Sequence, residues 1–387
     1  MSEEQIINIL LIILLILIIL TFIVCNFSIS HKEGFEANKG ECSNYSIYYN
    51  EYPTIANLQE IDMIDKKSTE KTTDTVYFKL RDYYIKSAFN CAIVDKYNDG
   101  VADNCALINC IRQGARCLDF ELYFVDDNAV VSSRFNNSEN SRNTLIKGSS
   151  VDILFSDALK IIDRNAFNSP APNPKDPLII HLRIKIKNNP SGYKKIYNDI
   201  MNNISLNKLL PSDKYGNEFD GESIGNIPIN KLMGKLIIAV SPVYKPLYES
   251  SILKKITNIS TSHPSFRVYL PDQFKNELSD QNAIIDYNKH NLSFVIPNLT
   301  HENEESSVLA EKSGAQMIAM SFSTYNENLK YYHSFFSDSG RAFVLKPPTL
   351  RYIPEFYKKP KNQDKNVNYA EKNTTGGSGQ LKIPITM

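Results

Sequence analysis

The run "CLDFELYF", within Gly114 to Asp127, places two carboxylates, Asp119 and Glu121, inside a stretch that otherwise reads as a buried strand. Side chains of an extended chain alternate between faces, so both acids point one way while Leu118, Phe120 and Leu122 point the other. Two like charges side by side in a core persist only with a metal ion, shared protons or a basic side chain between them. His181 and Arg183, in "LIIHLRIKI", are also two apart and share one face of a second apolar strand, His181 one layer deeper. The expected role of His181 is that of a hydrogen-bonded core histidine. His263, His290, His301 and His333 fall in loop-like or helix-surface contexts and are expected to be solvated. The six cysteines, at 25, 42, 91, 105, 110 and 117, lack zinc-site spacing. Cys105, Cys110 and Cys117 read as small buried apolar residues. No glycine-rich phosphate loop or nucleophile elbow occurs.

Two inward-facing acids need a frame of strands, and the pattern from Tyr77 onward supplies one. Short β-branched runs, "VYFKL", "CLDFELYF", "AVVSS", "PLIIHLRIKI", "GKLIIAVSP", "FRVYL", "LSFVIP", "AQMIAMSFS" and "AFVLKP", are separated by helix-like stretches near 102–113, 153–167 and 193–203. Strands alternating with helices of 10–15 residues imply βα units on a parallel sheet. Eight or so units over roughly 250 residues fit a closed α/β barrel of the (β/α)8 TIM type.

The ends differ in texture. Ile6 to Cys25 is free of charge and close to the ~20 residues that cross a bilayer. Its acidic start, "MSEEQ", and the absence of a small-x-small cleavage site favour an uncleaved single-span anchor over a signal peptide. The expected organisation is an anchor at 1–27, a polar stalk at 28–75, the barrel at 76–352 and a polar tail at 353–387. Orientation is open. Lys32 and Lys39 favour a cytosolic barrel, whereas N-x-S/T triplets at Asn44, Asn203, Asn258, Asn291 and Asn298 would suit the other side. Cys25 stands at the membrane edge, where palmitoylation or plain apolar contact would suit it. Lys+Arg and Asp+Glu both total 43, so no net charge draws the chain to nucleic acid. The Asn-, Ile- and Lys-rich, Trp-free composition fits an AT-rich coding sequence, such as that of a large virus or a protist.

"SGAQMIAMSFSTYNENLKYYHSFFSDSGRAFVLKP", Ser313 to Pro347, resembles the Y half of the eukaryotic phosphoinositide-specific phospholipase C barrel. There a Gly-x-Gln-hydrophobic strand, a Phe-x-Thr and a Val-Leu-Lys-Pro run follow in this order. "CIRQGARCLDFELYF" resembles the X half, and "ILFSDALKIIDRNAF", "DPLIIHLRIK" and "LMGKLII" continue in the family's order. The resemblance spans about 76–352 and implies a phosphodiesterase-type barrel that uses two histidines and Ca²⁺.

Carried over residue by residue, the resemblance implies a changed site. The first catalytic histidine position holds Phe89 and the second Ser133. Asn90, Asp119 and Glu121 stand at calcium positions, the two acids exchanged in order, and the fourth ligand is replaced by Arg183. Ala239 and Ser241 stand where phosphate-binding lysines are expected, and Phe294 and Ile296 where headgroup-binding Arg and Tyr are expected. The expectation is a membrane-anchored, phospholipase C-like protein without phospholipase chemistry and with a binding or structural role. Its contacts would be the membrane, through Ile6 to Cys25, and an unidentified protein or lipid headgroup; no cofactor is expected. The alternative is an active phosphoric diester hydrolase with altered catalytic residues or substrate, which would keep calcium. Arg183 is expected to pair with both acids in place of the metal.

Overall fold

The computed structural model describes residues 56–61, 64–65, 76–94, 101–133, 152–216, 223–271, 280–297, 303, 305 and 313–353. The apolar run Ile6 to Cys25, the triplets at Asn44 and Asn298, and His301 lie outside the described residues. Among the described residues no helix is long and apolar enough to cross a membrane.

Eight parallel strands follow one another around a barrel. They are β1 (Tyr83–Phe89), β2 (Cys117–Val125), β3 (Leu178–Ile184), β4 (Leu236–Pro242), β5 (Ile259–Ser260), β6 (Phe266–Tyr269), β7 (Leu292–Val295) and β8 (Met317–Ser321). Each pairs with the next, and β8 returns to β1; the ring is unpaired only between β5 and β6 among the described residues. The expected barrel is therefore present, nearly closed.

Two apolar layers result from the alternation of side chains. Ile85, Phe89, Cys117, Ile179, Ile237, Phe294 and Met317 fill the interior. Leu118, Phe120, Leu122, Ile180, Leu182 and Ile238 face outward against the helices. The helices are α1 (Asn104–Arg112), α2 (Phe155–Asn165), α3 (Pro190–Asn203), α4 (Lys245–Glu249), α5 (Gln281–His290) and α6 (Glu327–Ser339). Local chemistry sets their ends. Asp103, Asn189 and Asn326 cap α1, α3 and α6 by accepting from backbone N–H groups, Pro190 opens α3, and Gly340 (φ 68°) closes α6. In α2, Phe155, Ala158, Leu159 and Ile162 recur at helical spacing and form its buried stripe.

Several elements differ from the sequence reading. "VYFKL" is not a barrel strand: Val76–Tyr77 pairs with Ile64–Asp65, and a 3₁₀ turn at Leu80–Asp82 leads into β1. The first barrel strand is "YYIKSAF", buried at every position and so without an alternating signal. "AVVSS" becomes Asn128–Val131, antiparallel to the end of β2 across a two-residue turn in which Asp126 (φ 47°) and Asp127 (φ 60°) are left-handed. "AFVLKP" yields Phe343–Leu345, antiparallel to the start of β1. Residues 56–61, counted with the stalk on composition, pack under the barrel: Ala56, Leu58 and Ile61 join the interior layer, and the Ile61 N–H donates to Asp176 Oδ1 at 2.8 Å.

Candidate functional site

Asp119 and Glu121 enter the barrel mouth from β2, His181 and Arg183 from β3, and Ser241 from β4. The register aligns Asp119 with His181 and Glu121 with Arg183, while Ser241 stands beside Arg183 on the other side. Asn90 follows the last residue of β1 with φ 40°, a left-handed conformation that asparagine tolerates. That turn aims its backbone N–H at Asp119 Oδ2, 3.1 Å away.

Arg183 lies between the acids. Its Nε donates to Asp119 Oδ1 at 3.0 Å and Oδ2 at 3.2 Å, and its Nη2 donates to Asp119 Oδ2 at 3.0 Å. Nη1 donates to Glu121 Oε2 at 2.7 Å, and Nη2 also reaches Asn90 Oδ1. The guanidinium carbon sits 4.7 Å from the centre of the Phe89 ring, a cation–π arrangement. Glu121 is bound from its other side by the Tyr123 hydroxyl, and the Lys185 ammonium is 3.7 Å away. Counting Lys185, two cations face two carboxylates, and the local charge is balanced.

Below this pair lies a second chain of contacts. His181 Nδ1 is 2.8 Å from Asp119 Oδ1, and His181 Nε2 is 2.7 Å from Ser241 Oγ. The imidazole ring packs on Phe294 (4.4 Å between centres) and Phe266 (5.8 Å). His181 is thus the hydrogen-bonded core histidine that its strand position implied.

Burial and charge act in opposition here. Burial pushes the Asp119 carboxyl up, but Arg183 and the His181 hydrogen bond together pull harder and hold it at about 2. Burial works against the Arg183 cation, yet Asp119 and then Glu121 keep the guanidinium above its ordinary value. For His181 burial wins: its pKa is lowered despite the hydrogen bond with Asp119.

Other candidate positions fall as follows. Phe89 faces inward beneath Arg183. The register pairing Leu122 with Val131 puts Ser132 opposite Glu121, on its face, whereas Ser133 falls opposite Phe120 on the helix-facing side. The Ser132 N–H donates to the Glu121 carbonyl at 3.2 Å. Ser132 is fully buried. Ala239 and Phe294 are buried in the interior. His333, expected in solvent, packs against Phe322 with ring centres 4.8 Å apart. Cys110 and Cys117 are buried free thiols, but Cys105 is disulfide-bonded. Sequence reasoning left out Tyr123, Lys185 and the bonding partner of His181. The first two were accessible, standing two residues beyond Glu121 and Arg183 on the same faces; Ser241 meets His181 only through the barrel register.

The comparisons agree with this architecture. Residues 78–241 match the family model of the phosphatidylinositol-specific phospholipase C X domain. PLC21 of S. officinalis superposes with a TM-score of 0.58 at 14% identity, covering 79% of this chain and 40% of that one. PLC21 of L. pealei gives 0.56 at 16% identity, covering 71% of this chain and 38% of that one. The matched part is thus about two fifths of those proteins' length, and at such identities the likeness speaks for the fold alone. No curated protein matches the sequence. Residues 78–241 are therefore similar to the phosphatidylinositol-specific phospholipase C X domain, and the barrel has the fold of phospholipase C catalytic barrels.

Proposed function

We propose that this protein is a membrane-anchored phospholipase C-type barrel whose metal-dependent phosphodiester chemistry has been replaced by an internal ion pair, leaving a binding or structural role. The observation that carries the reading is the reach of one side chain: Arg183 bonds Asn90, Asp119 and Glu121, the three positions matched to calcium ligands. A planar guanidinium suits this place because it bonds carboxylates through a fixed fork and stays charged when buried.

A calcium ion does not fit the side chains as they stand. The oxygens that would hold it accept from Arg183, and a unit positive charge ~4 Å from a divalent ion costs on the order of 8 kcal/mol at an effective dielectric of ~20. Calcium takes six to eight oxygens as a rule, and one carboxylate position is now a cation. The acid–base positions point the same way. Phe89 exchanges no proton, and a hydroxyl at Ser132 or Ser133 is a poor general acid near neutrality.

The anchor is assigned to Ile6 to Cys25 on sequence grounds. The disulfide of Cys105 supports a barrel on the oxidising, lumenal or outer side of the membrane. Asn203 and Asn291 are partly exposed and could carry glycans there. Asn258 could not: it is buried, and its side chain accepts from the Ile238 N–H.

The test is phosphoinositide hydrolysis by the full chain in detergent–lipid micelles with calcium. No release of inositol phosphates above a protein-free blank is expected. Release that stops when Asn90 or Glu121 is replaced by alanine would contradict the reading.

A further inference from the structure

The contacts beneath Arg183 form a chain that the ion-pair reading does not use. Asp119 Oδ1, the two ring nitrogens of His181 and Ser241 Oγ follow one another at 2.8 and 2.7 Å. The protons can be placed. Both Asp119 oxygens accept, from Arg183 Nε, Arg183 Nη2 and the Asn90 N–H, so the carboxylate has only acceptors to offer. His181 Nδ1 is then the donor to Asp119. Nε2 carries the lone pair and accepts the Ser241 O–H.

We propose that Ser241 is an activated nucleophile and that this barrel mouth is a serine-esterase site, with His181 as its base and Asp119 as the residue that positions His181. Nucleophile, base and orienting acid at hydrogen-bonding distance, in this order, are what such chemistry requires. Access has the right gradient. Asp119 and His181 are fully buried, whereas Ser241 is partly exposed at the C-terminal end of β4. Arg183 stands beside Ser241 in register, with its guanidinium turned to Asp119, Glu121 and Asn90. The lip beyond Ser241 is apolar: Val243 is 50% exposed and Tyr244 47%. With Phe294 packed on His181 and no lysine at position 239, the surroundings suit an apolar acyl group over a phosphate.

In the reaction Ser241 Oγ forms a bond to the ester carbonyl carbon as its proton passes to His181 Nε2. The bond to the alcohol oxygen breaks, and that oxygen leaves with the proton from Nε2. Water then attacks the acyl-serine and gives its proton to Nε2. The carboxylic acid departs as Ser241 Oγ recovers the proton. One ester and one water yield one acid and one alcohol.

The experiment uses the full chain in detergent micelles, with a fluorophosphonate probe and p-nitrophenyl butyrate. Mass spectrometry of the labelled protein should place the adduct on Ser241. Ser241→Ala should abolish the adduct and lower ester hydrolysis by roughly 10³-fold or more, with an unchanged melting temperature. His181→Asn should leave the hydroxyl in place and lose the labelling. Folded wild-type protein that carries no adduct on Ser241, or hydrolysis that survives Ser241→Ala, would overturn the proposal. The localised adduct on wild-type protein decides the matter even where a variant fails to fold. Metal-dependent release of inositol phosphates would overturn both readings, because the proton placement on His181 rests on Arg183 holding Asp119.

Discussion

Replacing Arg183 by alanine removes the cation from between two buried carboxylates, and its cost can be worked from the site. Asp119 is fully buried and is held at about 2, against an ordinary 3.8. At 1.36 kcal/mol per pH unit, this difference is worth about 2 kcal/mol in favour of the ionised carboxyl. Without Arg183, burial, the largest influence on Asp119, acts with only His181 and the Asn90 N–H against it. Glu121 loses its shortest cationic contact as well and keeps Tyr123 and the more distant Lys185. The total should be roughly 3–5 kcal/mol, the usual result of stripping one partner from a buried pair.

The pH dependence of that loss carries the diagnostic sign. In the wild type Asp119 is depressed, so its contribution is complete above its unfolded value of 3.8 and is lost as pH falls through about 2. In Arg183→Ala burial raises the same carboxyl, so its penalty is present at neutral pH and is relieved as acid protonates it. The stability gap between the two proteins should therefore narrow from pH 7 to pH 5. Urea unfolding followed by far-UV circular dichroism at the two pH values measures it. A gap under about 1 kcal/mol at pH 7, or one that widens in acid, would refute the buried-pair argument. Arg183→Lys keeps the charge and loses the fork, and should fall between alanine and wild type.

Further outcomes follow from the same contacts. Arg183→Glu places a third carboxylate beside Asn90, Asp119 and Glu121; isothermal titration should show calcium binding to this variant and none to the wild type, still without phosphoinositide cleavage. Asp176 is raised to about 6, chiefly by burial, so it costs stability above that value and the cost is relieved as pH falls through 6 toward 4; Asp176→Asn should flatten the unfolding free energy across this window. Six cysteines include one disulfide through Cys105, so the denatured, unreduced chain should titrate at most four thiols, against six after reduction.

The parts of this protein that could be read in advance are those governed by local period. Alternation along β2 and β3 placed Asp119, Glu121, His181 and Arg183 on inward faces, since two-residue periodicity needs no knowledge of the partner strand. The same rule would have flagged Tyr123 and Lys185. β1 was missed because all seven of its residues are buried, Lys86 included, which erases the polar–apolar rhythm. β5, only two residues long, leaves no pattern to detect. The hydrogen bond between His181 and Ser241 crosses 60 residues of sequence and depends on the register of β3 against β4. Which serine shares the face of Glu121 is fixed by a two-residue hairpin turn, not by local propensity.

The central claim is that a guanidinium holds the place of a metal between Asn90, Asp119 and Glu121. A crystal structure of the barrel grown in saturating calcium tests it directly. The account predicts Arg183 Nη1 and Nη2 within hydrogen-bonding distance of Glu121 and Asp119, with no ion among them. A calcium ion ligated by Asn90, Asp119 and Glu121, with Arg183 turned out to solvent, would contradict it.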